Sequence, residues 1–378
     1  KVLEADRLYT AILEIQPNHP DANHNMGVLA VGVGKTEESL PFFKNALRLN
    51  SKIEQYWLSY IDSLSKLNRI AEAIVLVDEA KDHGIASEAL KNIKKNLTTK
   101  RDSVHASNPP SEEKIQALVN LYSKGQLQKA LEEALKLSQQ FPNSDILYNI
   151  IGAVNLGLRN FDAAIDNFKQ AIRINSIYAD AYNNMGNAFK GKGDFVSAIK
   201  SYNKSIKIKP DYAEAFYNMA NAFKDKGDLE SAIDNYKQTI RIKPNNPEAY
   251  NNMGNTFKDK GDLESAIDNF KHAIRIKPNN PEACYNMGNA FKEEGDLKNA
   301  MDSYKQAIKI KPDYAEAYNN MGVVFKDKGD LENAINRYNQ AIEINPDYAA
   351  AYNNLGQALQ DQGDLENALN RYNQAIEI

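Results

Sequence analysis

The sequence contains one cysteine and five histidines among its 378 residues. A single cysteine excludes an internal disulfide framework and fits a reducing compartment, so we expect a cytoplasmic location. Cys284 takes a position where sister segments carry Tyr or Phe, which predicts a buried thiol rather than a reactive one. The histidines lack the paired spacing of a zinc site on a helix, and no cysteine pair assists them. We therefore expect neither a metal nor another cofactor.

Long apolar runs and a large excess of one charge are also missing. No segment reaches the roughly 18–20 apolar residues that a membrane span needs. The formal net charge of −4 gives no overall attraction to nucleic acid or to an anionic membrane. The segment from Gly32 to Thr36 ends like a phosphate-binding loop, but Leu29 stands where such a loop needs its first glycine. Because the sequence also lacks a nucleophile elbow and a dinucleotide fingerprint, we expect this chain to be noncatalytic.

A phrase of 34 residues recurs without insertion through the last two thirds of the chain, and one copy runs from Ala315 to Tyr348. A repeat of this length is one supersecondary piece that cannot bury its apolar face alone and must stack on its neighbours. The sequence therefore predicts an all-α solenoid whose function comes from the surface that the stack presents. The repeats begin at Ser111, Asp145, Ala179, Ala213, Pro247, Pro281, Ala315 and Ala349.

Each repeat reads as two helices, as the copy from Ala179 to Tyr212 shows. An apolar stripe at helical spacing predicts a first helix, which Gly193 ends in the left-handed conformation. Asp194 is then expected to cap the second helix, and Asp211 to cap the first helix of the next repeat. Glycine recurs at the Gly186 position although it weakens a helix by about 1 kcal/mol, which predicts close approach of the two helices.

This arrangement resembles the tetratricopeptide repeat, and the match covers eight consecutive repeats from Ser111 onward. The resemblance implies a right-handed superhelical solenoid of antiparallel helix pairs, with first helices lining a concave groove. The Ser111 repeat diverges, because Leu118 stands at the glycine position and Ala134 at the second aromatic position. In the Ala315 repeat the family pattern is carried by Tyr318, Met321, Gly322, Phe325, Ala334, Tyr338 and Pro346.

The sequence predicts three parts. Residues 1–97 form a divergent N-terminal array of the same family, which ends in a helix from Glu88 to Leu97. Residues 98–110 are polar, have no helical period and end in Pro-Pro, so we expect a linker or a break there. Residues 111–378 form the C-terminal array of eight repeats, of which the last is truncated.

The chain starts and stops inside repeats, so we expect it to be a segment of a longer protein. Arrays of this kind usually end with a polar capping helix, and none follows Ile378. An apolar end face should then remain partly uncovered, which predicts either end-to-end association between copies of the chain or a missing next helix. The residues expected on this face are Tyr352, Leu355, Leu359 and Leu369.

The first helices carry an unusual number of asparagines on the face opposite their apolar stripe. The first row is Asn184, Asn218, Asn252, Asn286, Asn320 and Asn354, with Asn25 at the same position in the N-terminal array. The second row is Asn187, Asn221, Asn255 and Asn289. The third row is Asn149, Asn183, Asn251, Asn319 and Asn353, interrupted by Tyr217 and Tyr285. The lysine row beside them is Lys190, Lys224, Lys258, Lys292 and Lys326.

Asparagine weakens a helix by about 0.5–0.7 kcal/mol relative to Ala, so a merely solvated face would more often use Glu, Lys or Gln. An amide offers a donor and an acceptor together, which suits the N–H and C=O groups of an extended peptide. The first row also resembles the asparagine ladder of O-linked N-acetylglucosamine transferases, which implies that it holds substrate polypeptides by the backbone. The first row, the second row, Lys224 and Lys258 are therefore the predicted peptide-binding residues. Two alternatives remain: recent duplication of an idle residue, and structural bonding to a neighbouring helix.

The leading functional prediction is a noncatalytic scaffold that binds an extended peptide, or a helix, of another protein in its concave groove. The alternative is a substrate-recruiting arm of a larger, glycosyltransferase-like enzyme whose catalytic domain lies outside this chain. RNA binding is a weaker third hypothesis, because the charge balance and the lack of interleaved aromatic residues argue against a nucleic-acid partner. Under the leading prediction, changing Asn252, Asn286 and Asn320 to Ala should preserve folding and lower ligand binding.

Overall fold

The computed structural model describes residues 2–67, 69–105 and 110–378. Over these ranges the chain consists of helices and short connections, and none of the described residues lies in a strand. The residues form two compact units, Lys1–Asp194 (unit 1) and Phe195–Ile378 (unit 2). Their boundary falls inside the Ala179 repeat rather than at the predicted linker. In a repeat array each piece contacts only its neighbours, so compactness alone marks no domain border, and the predicted division stays a prediction.

The helices follow the predicted two-per-repeat order. Those of unit 1 are α1 (Val2–Ile15), α2 (Pro20–Gly32), α3 (Thr36–Leu49), α4 (Glu54–Lys66), α5 (Ile70–Asp82), α6 (Glu88–His105), α7 (Glu112–Ser123), α8 (Leu127–Gln140), α9 (Asp145–Gly157), α10 (Phe161–Ile174) and α11 (Ala179–Gly191). Those of unit 2 are α12 (Phe195–Ile208), α13 (Ala213–Asp225), α14 (Leu229–Ile242), α15 (Pro247–Asp259), α16 (Leu263–Ile276), α17 (Pro281–Glu294), α18 (Leu297–Ile310), α19 (Ala315–Asp327), α20 (Leu331–Ile344), α21 (Ala349–Gln362) and α22 (Leu365–Glu377).

The stacking order confirms the predicted helix-pair solenoid. The two helices of one repeat contact each other, as α15 and α16 do, and short turns make such neighbours antiparallel. Each second helix then contacts the first helix of the next repeat, as α16 contacts α17. First helices also meet directly, as α15 and α17 do. The face that the first helices share is therefore continuous from one repeat to the next within unit 2.

The turn inside the repeat is built as predicted in the repeats from Ala213 onward. Gly193 has a φ of +81°, the left-handed conformation that glycine adopts without strain, and its counterparts behave in the same way. Asp228 and Asp262, the counterparts of Asp194, accept hydrogen bonds from the main-chain N–H three residues later. The prediction for Asp211 is wrong. The next helix begins at Ala213 with Tyr212 as its N-cap, so Asp211 lies one residue too early to cap it.

A large side chain on the second helix fills the space left by a glycine on the first. A Cβ atom at Gly254 would lie 2.7 Å from Cε1 of Phe270, so the ring rests directly against the helix backbone. The same contact recurs at Gly27, Gly152, Gly288, Gly322 and Gly356. In the Ser111 repeat the sizes are exchanged, because Leu118 and Ala134 are both buried in one apolar cluster. The divergence visible in the sequence is therefore a compensated exchange of a small and a large residue.

Helix α6 differs from the sequence prediction. It continues through the start of the predicted linker to His105, so the predicted end at Leu97 is wrong. The hydroxyls of Thr98 and Thr99 donate to the main-chain carbonyls of Lys94 and Lys95, at 2.8 and 3.0 Å. These bonds satisfy the polar side chains inside a helix, which their polarity alone did not suggest. Residues 106–109 of the predicted linker lie outside the described residues.

The last two helices, α21 and α22, carry the residues predicted to form an apolar end face. Leu369 on α22 is 62% exposed, as expected. Leu355 is only 1% exposed, because it packs with Tyr338 and Ala358 in an apolar cluster, so its inclusion in the face is wrong. The second helix of the preceding repeat supplies this cover. Association of copies through this face stays a prediction.

The size pairing predicts a measurable coupling. We expect Phe270→Ala to cost about 3–5 kcal/mol, since it opens a cavity, and Gly254→Leu to destabilise by overpacking against the ring. The double substitution reproduces the Leu118–Ala134 pair and should cost at least about 1 kcal/mol less than the sum of the single changes. Native-state hydrogen exchange of α15 and α16 amides measures these local free energies. Strict additivity would show that the two positions do not share one space.

Candidate functional site

The asparagine rows occupy different depths on the first-helix face. First-row and second-row side chains of unit 2 are half-buried, so part of each amide faces solvent. The third row lies deeper, because Asn251 and Asn319 are each only 5% exposed. Asn353, which no later first helix covers, is exposed. The third row therefore lies between adjacent first helices, while the first two rows line the open face.

The first row makes hydrogen bonds to the preceding repeat. Asn252 Nδ2 on α15 donates to Tyr217 Oη at 2.9 Å and to Asn221 Oδ1 at 3.2 Å, both on α13. Asn221 Oδ1 also accepts a bond of 2.6 Å from Tyr236 Oη on α14. The amide oxygen of Asn221 on α13 thus connects α13 with α14 of its own repeat and with α15 of the next.

The same arrangement recurs two repeats later. Asn320 Nδ2 donates to Tyr285 Oη at 3.1 Å and to Asn289 Oδ1 at 2.8 Å. Tyr304 Oη completes the group by donating to Asn289 Oδ1 at 2.8 Å. The two tyrosines that interrupt the third row are therefore acceptors for the first row, a role that the sequence reading missed. The signal was present in the recurring offset of 35 residues between a first-row asparagine and its third-row acceptor.

In the intervening repeats the acceptor is an asparagine of the third row. Asn286 Nδ2 donates to Asn251 Oδ1 at 3.2 Å, and Asn354 Nδ2 donates to Asn319 Oδ1 at 2.9 Å. In unit 1, Asn184 Nδ2 donates at the same offset to Asn149 Oδ1 of the third row, at 3.1 Å. Each such bond contributes about 0.5–1.5 kcal/mol. The amides therefore do serve the structure, which the sequence left open as an alternative.

Two repeats break this pattern in opposite ways. The Pro247 repeat has Phe270 where its neighbours have a tyrosine, so Asn255 has no hydroxyl to bind. In the described part of the chain no side-chain hydrogen bond to Asn255 is formed. The Ala315 repeat has Val323 in the second row, and the hydroxyl of Tyr338 is buried without a hydrogen-bond partner among the described residues. One repeat thus has a free amide and the other an unsatisfied hydroxyl.

Three lysines of the row, Lys224, Lys258 and Lys326, pair with carboxylates of the following repeat. Lys224 Nζ lies 3.2 Å from Asp259, and Lys258 Nζ lies 3.4 Å from Glu293. Lys326 is paired in the same direction at 3.9 Å. Both lysines predicted to bind a ligand are therefore engaged in ion pairs. The face offers amides in nearly neutral surroundings rather than a strongly basic stripe.

In unit 1 the third-row position next to Asn25 is a histidine. His24 Nε2 lies 2.9 Å from the hydroxyl of Ser59, which holds the first-row position one repeat later. Its ring stacks on Tyr56 with centroids 4.8 Å apart. Burial lowers the pKa of His24 below its usual value, although the hydrogen bond to Asn25 and the charge of Asp21 oppose this shift. The inter-repeat contact therefore contains a group that titrates, which the sequence reading did not identify.

Other candidate groups do not assemble into a site. Cys284 is fully buried, as predicted, and burial raises the pKa of its thiol to about 11. The segment from Gly32 to Thr36 is the turn between α2 and α3, with Gly34 at a φ of +81°. No cluster of three or more metal-ligating side chains occurs within residues 2–67, 69–105 and 110–378. Over the same ranges, none of the helices combines the length and the apolar character required to cross a membrane.

Helix hairpins that stack on one another, with their first helices sharing one face, define a repeat protein of the helical-hairpin class. A family model described as a TPR repeat matches residues 160–193, 186–227, 220–261, 254–295, 288–329 and 324–363. A model described as a tetratricopeptide repeat matches residues 349–378. Because the first model covers residues 160–363 without a gap, which is more than half of the chain, the chain belongs to the tetratricopeptide repeat family.

Two solved structures with TM-scores above 0.5 support the same fold. The chain is similar to the C-terminal part of a TPR repeat-containing protein from Cytophaga hutchinsonii, at 18% identity and a TM-score of 0.52 over 64% of this chain and 99% of that one. It is similar to yeast Tom70 at 14% identity and a TM-score of 0.51, over 100% and 88% of the two chains. YrrB, described as a TPR protein with an unusual peptide-binding site, is 25% identical over 49% of this chain and 95% of its own, with a TM-score of 0.42. A comparison with curated proteins found no match.

The unsatisfied hydroxyl predicts opposite effects for one substitution at two equivalent positions. Tyr304→Phe removes the bond to Asn289 and should destabilise α17 and α18 by about 0.5–1.5 kcal/mol. Tyr338→Phe removes a buried hydroxyl that has no partner and should be neutral or stabilising by up to about 1 kcal/mol. Native-state hydrogen exchange of the two repeats measures both. Equal destabilisation by the two changes would contradict the bonding pattern.

The histidine predicts a pH dependence of unit 1. Because the folded-state pKa of His24 is lowered, the unfolded chain binds the proton more readily. The stability contribution is therefore present above a pH of about 6.5 and is lost as the pH falls toward the lowered pKa. Hydrogen exchange of α2 and α4 at two pH values, in the unsubstituted chain and in His24→Asn, measures this contribution. The variant should lose less protection on acidification, and an identical loss would assign the effect to other groups.

Proposed function

We propose that the chain is a noncatalytic scaffold whose first-helix face in unit 2 binds an extended peptide segment of another protein through its main chain. The observation that carries this proposal is the double row of half-buried amides on one continuous face. Amides donate and accept hydrogen bonds, as a peptide backbone does, and they recognise it without reading side chains. A cytoplasmic location stays a prediction.

The internal bonds of the first row do not exhaust its amides. The donors of Asn252 are both occupied, but among the described residues no group donates to its Oδ1. Asn286 uses one N–H and keeps the other, together with its Oδ1. The chain itself thus orients these amides and leaves part of each available to a ligand. Such preorganisation reduces the conformational entropy lost on binding.

The charge of the face favours a main-chain ligand over a highly charged one. Lys224 and Lys258 have carboxylates of the next repeat within 3.4 Å, so their charge is compensated. An RNA or a strongly acidic peptide would have to displace these ion pairs. A recruiting arm of a glycosyltransferase-like enzyme would use the same face, and it differs only in what the bound peptide is presented to. This alternative is resolved by testing whether the full-length gene product transfers a sugar to a peptide that the face binds.

Backbone recognition predicts indifference to side-chain order. The probe is a fluorescein-labelled, uncharged 15-residue peptide of Gly, Ser, Thr and Val, with two scrambled versions and one version N-methylated at alternate residues. Fluorescence anisotropy should give affinities for the three sequences within about threefold of one another, because few side chains are read. N-methylation should weaken binding about tenfold or more, since it removes several main-chain donors, each contributing about 0.5–1.5 kcal/mol.

A matched pair of triple variants locates the bound peptide. Changing Asn252, Asn286 and Asn320 to Ala should weaken binding, and circular dichroism checks that the chain stays folded despite the lost inter-repeat bonds. The control changes Lys237, Lys271 and Lys305 to Ala, which removes exposed ion pairs of little energetic weight on the second helices. Equal affinities of both triple variants would remove the asparagine face from the explanation.

A further inference from the structure

The amides of unit 2 are not equally available to a ligand. At the contact between α13 and α15, Asn221 and Asn252 bond to each other, and tyrosine hydroxyls occupy further positions on both. The contact between α17 and α19 has the same closed arrangement. At the contact between α15 and α17, Asn255 and Asn286 occupy the equivalent positions. These two side chains form no hydrogen bond with each other, and across the described ranges Asn255 bonds to no other side chain.

The difference comes from two residues of the Pro247 repeat. Phe270 lacks the hydroxyl with which Tyr236 and Tyr304 hold their second-row asparagines. Asn251 stands in the third row in place of a tyrosine, and it takes one N–H of Asn286 at 3.2 Å. Asn286 therefore keeps one N–H and its carbonyl oxygen, and Asn255 keeps its complete amide.

Register places the unbonded amide of Asn255 beside the partly bonded amide of Asn286. The equivalent pairs, Asn221 with Asn252 and Asn289 with Asn320, have Oδ1 and Nδ2 atoms 3.2 and 2.8 Å apart. Asn255 and Asn286 hold the same positions on neighbouring first helices, and both are half-buried on the same face. Two half-buried amides with unused donors and acceptors gain more from a ligand than amides that are already bonded within the chain.

The lysine beside this pair has its charge compensated. Lys258 follows Asn255 by one helical turn, and its charge is compensated by Glu293 at 3.4 Å and by Asp259 at 3.9 Å. Asn251 Nδ2 lies 3.4 Å from the carboxylate of Glu282, whose side chain is exposed. A neutral group that donates and accepts at once fits this position better than an ion. A peptide group of an extended chain has this chemistry.

We propose that Asn255 and Asn286 form a two-amide clamp that holds one peptide group of the ligand, and that this contact is the principal anchor of the bound chain in unit 2. This inference rests on the proposed function and specifies which contact between adjacent first helices carries most of the peptide affinity. Asn221 and Asn252 each keep only one side of their amides, so they contribute less.

The test measures binding of the unsubstituted full chain and of four variants to the 15-residue fluorescein-labelled peptide. Asn255→Ala should weaken binding about fivefold to tenfold, because it removes the unbonded amide. Asn221→Ala is the matched control in the same row. It should leave the affinity within about twofold while lowering hydrogen-exchange protection of α13 and α15, since its amide is bonded inside the chain.

A substitution that lets the chain itself bond to Asn255 gives a more specific test of the clamp. Phe270→Tyr supplies the hydroxyl that the neighbouring repeats have, and it should bond to Asn255 as Tyr304 bonds to Asn289. We expect higher protection of α15 and α16 against hydrogen exchange together with about threefold to tenfold weaker peptide binding. Lys271→Ala, one residue further along the same helix and exposed, should change neither quantity.

The outcomes separate the clamp from the proposed function. Peptide binding that is equal in the unsubstituted chain, Asn255→Ala and Phe270→Tyr would overturn the clamp and leave a peptide-binding face in place. A larger loss of peptide affinity in Asn221→Ala than in Asn255→Ala would also overturn the clamp. It would assign the anchor to the contact between α13 and α15, where the amides are bonded to each other. Failure of the unsubstituted chain to bind the peptide would overturn the proposed function and the clamp with it.

Discussion

Contact between a ring on the second helix and the bare backbone of the first, present in most of the repeats, is the constraint on which the array depends. At Gly288 the ring of Tyr304 lies 2.6 Å from the place of a Cβ atom, so the two helices approach more closely than alanine would allow without adjustment. Because this contact recurs, each helix pair presents the next first helix at a similar offset. Equivalent side chains of adjacent first helices then meet at hydrogen-bonding distance, as Asn252 meets Tyr217 and Asn286 meets Asn251. The amide rows are a consequence of the packing beneath them.

An amide side chain has a fixed capacity of two N–H donors and one carbonyl acceptor, and structure and ligand share it. Where a tyrosine is present, as beside Asn221, the chain itself uses the carbonyl oxygen of the amide. Where the tyrosine is replaced by Phe270, the capacity stays open. The structural and the peptide-binding interpretations of the rows are therefore compatible. One row can lock adjacent repeats at some steps and present unused donors and acceptors at others.

The period, the helix pairs, the left-handed glycines and the burial of Cys284 could all be predicted from the sequence, because each depends on local chemistry repeated many times. The packing of Leu118 and Ala134 in one apolar cluster was not predicted, although both departures from the pattern were visible. The acceptor role of Tyr217 was missed although the offset of 35 residues carried it, because the sequence does not say which side chains of adjacent first helices come within hydrogen-bonding distance. The helix through Thr98 was missed for another reason. Its hydroxyl is satisfied by a main-chain carbonyl one turn earlier, and polarity alone does not reveal such a bond. The rows themselves were visible, but not which amides the chain already uses.

In the proposed clamp, near-identical repeats differ in ligand binding through a single oxygen atom. The stability of a repeat array is approximately the sum of its repeats and their interfaces. Loss of one hydrogen bond of about 0.5–1.5 kcal/mol at the Phe270 position is then a local cost in stability. The bonded contacts on either side, α13 with α15 and α17 with α19, can offset it. The same loss at every repeat would remove the lock between first helices along the whole face. An interior step with closed steps on both sides is therefore a position where an open pair of amides is compatible with a stable array.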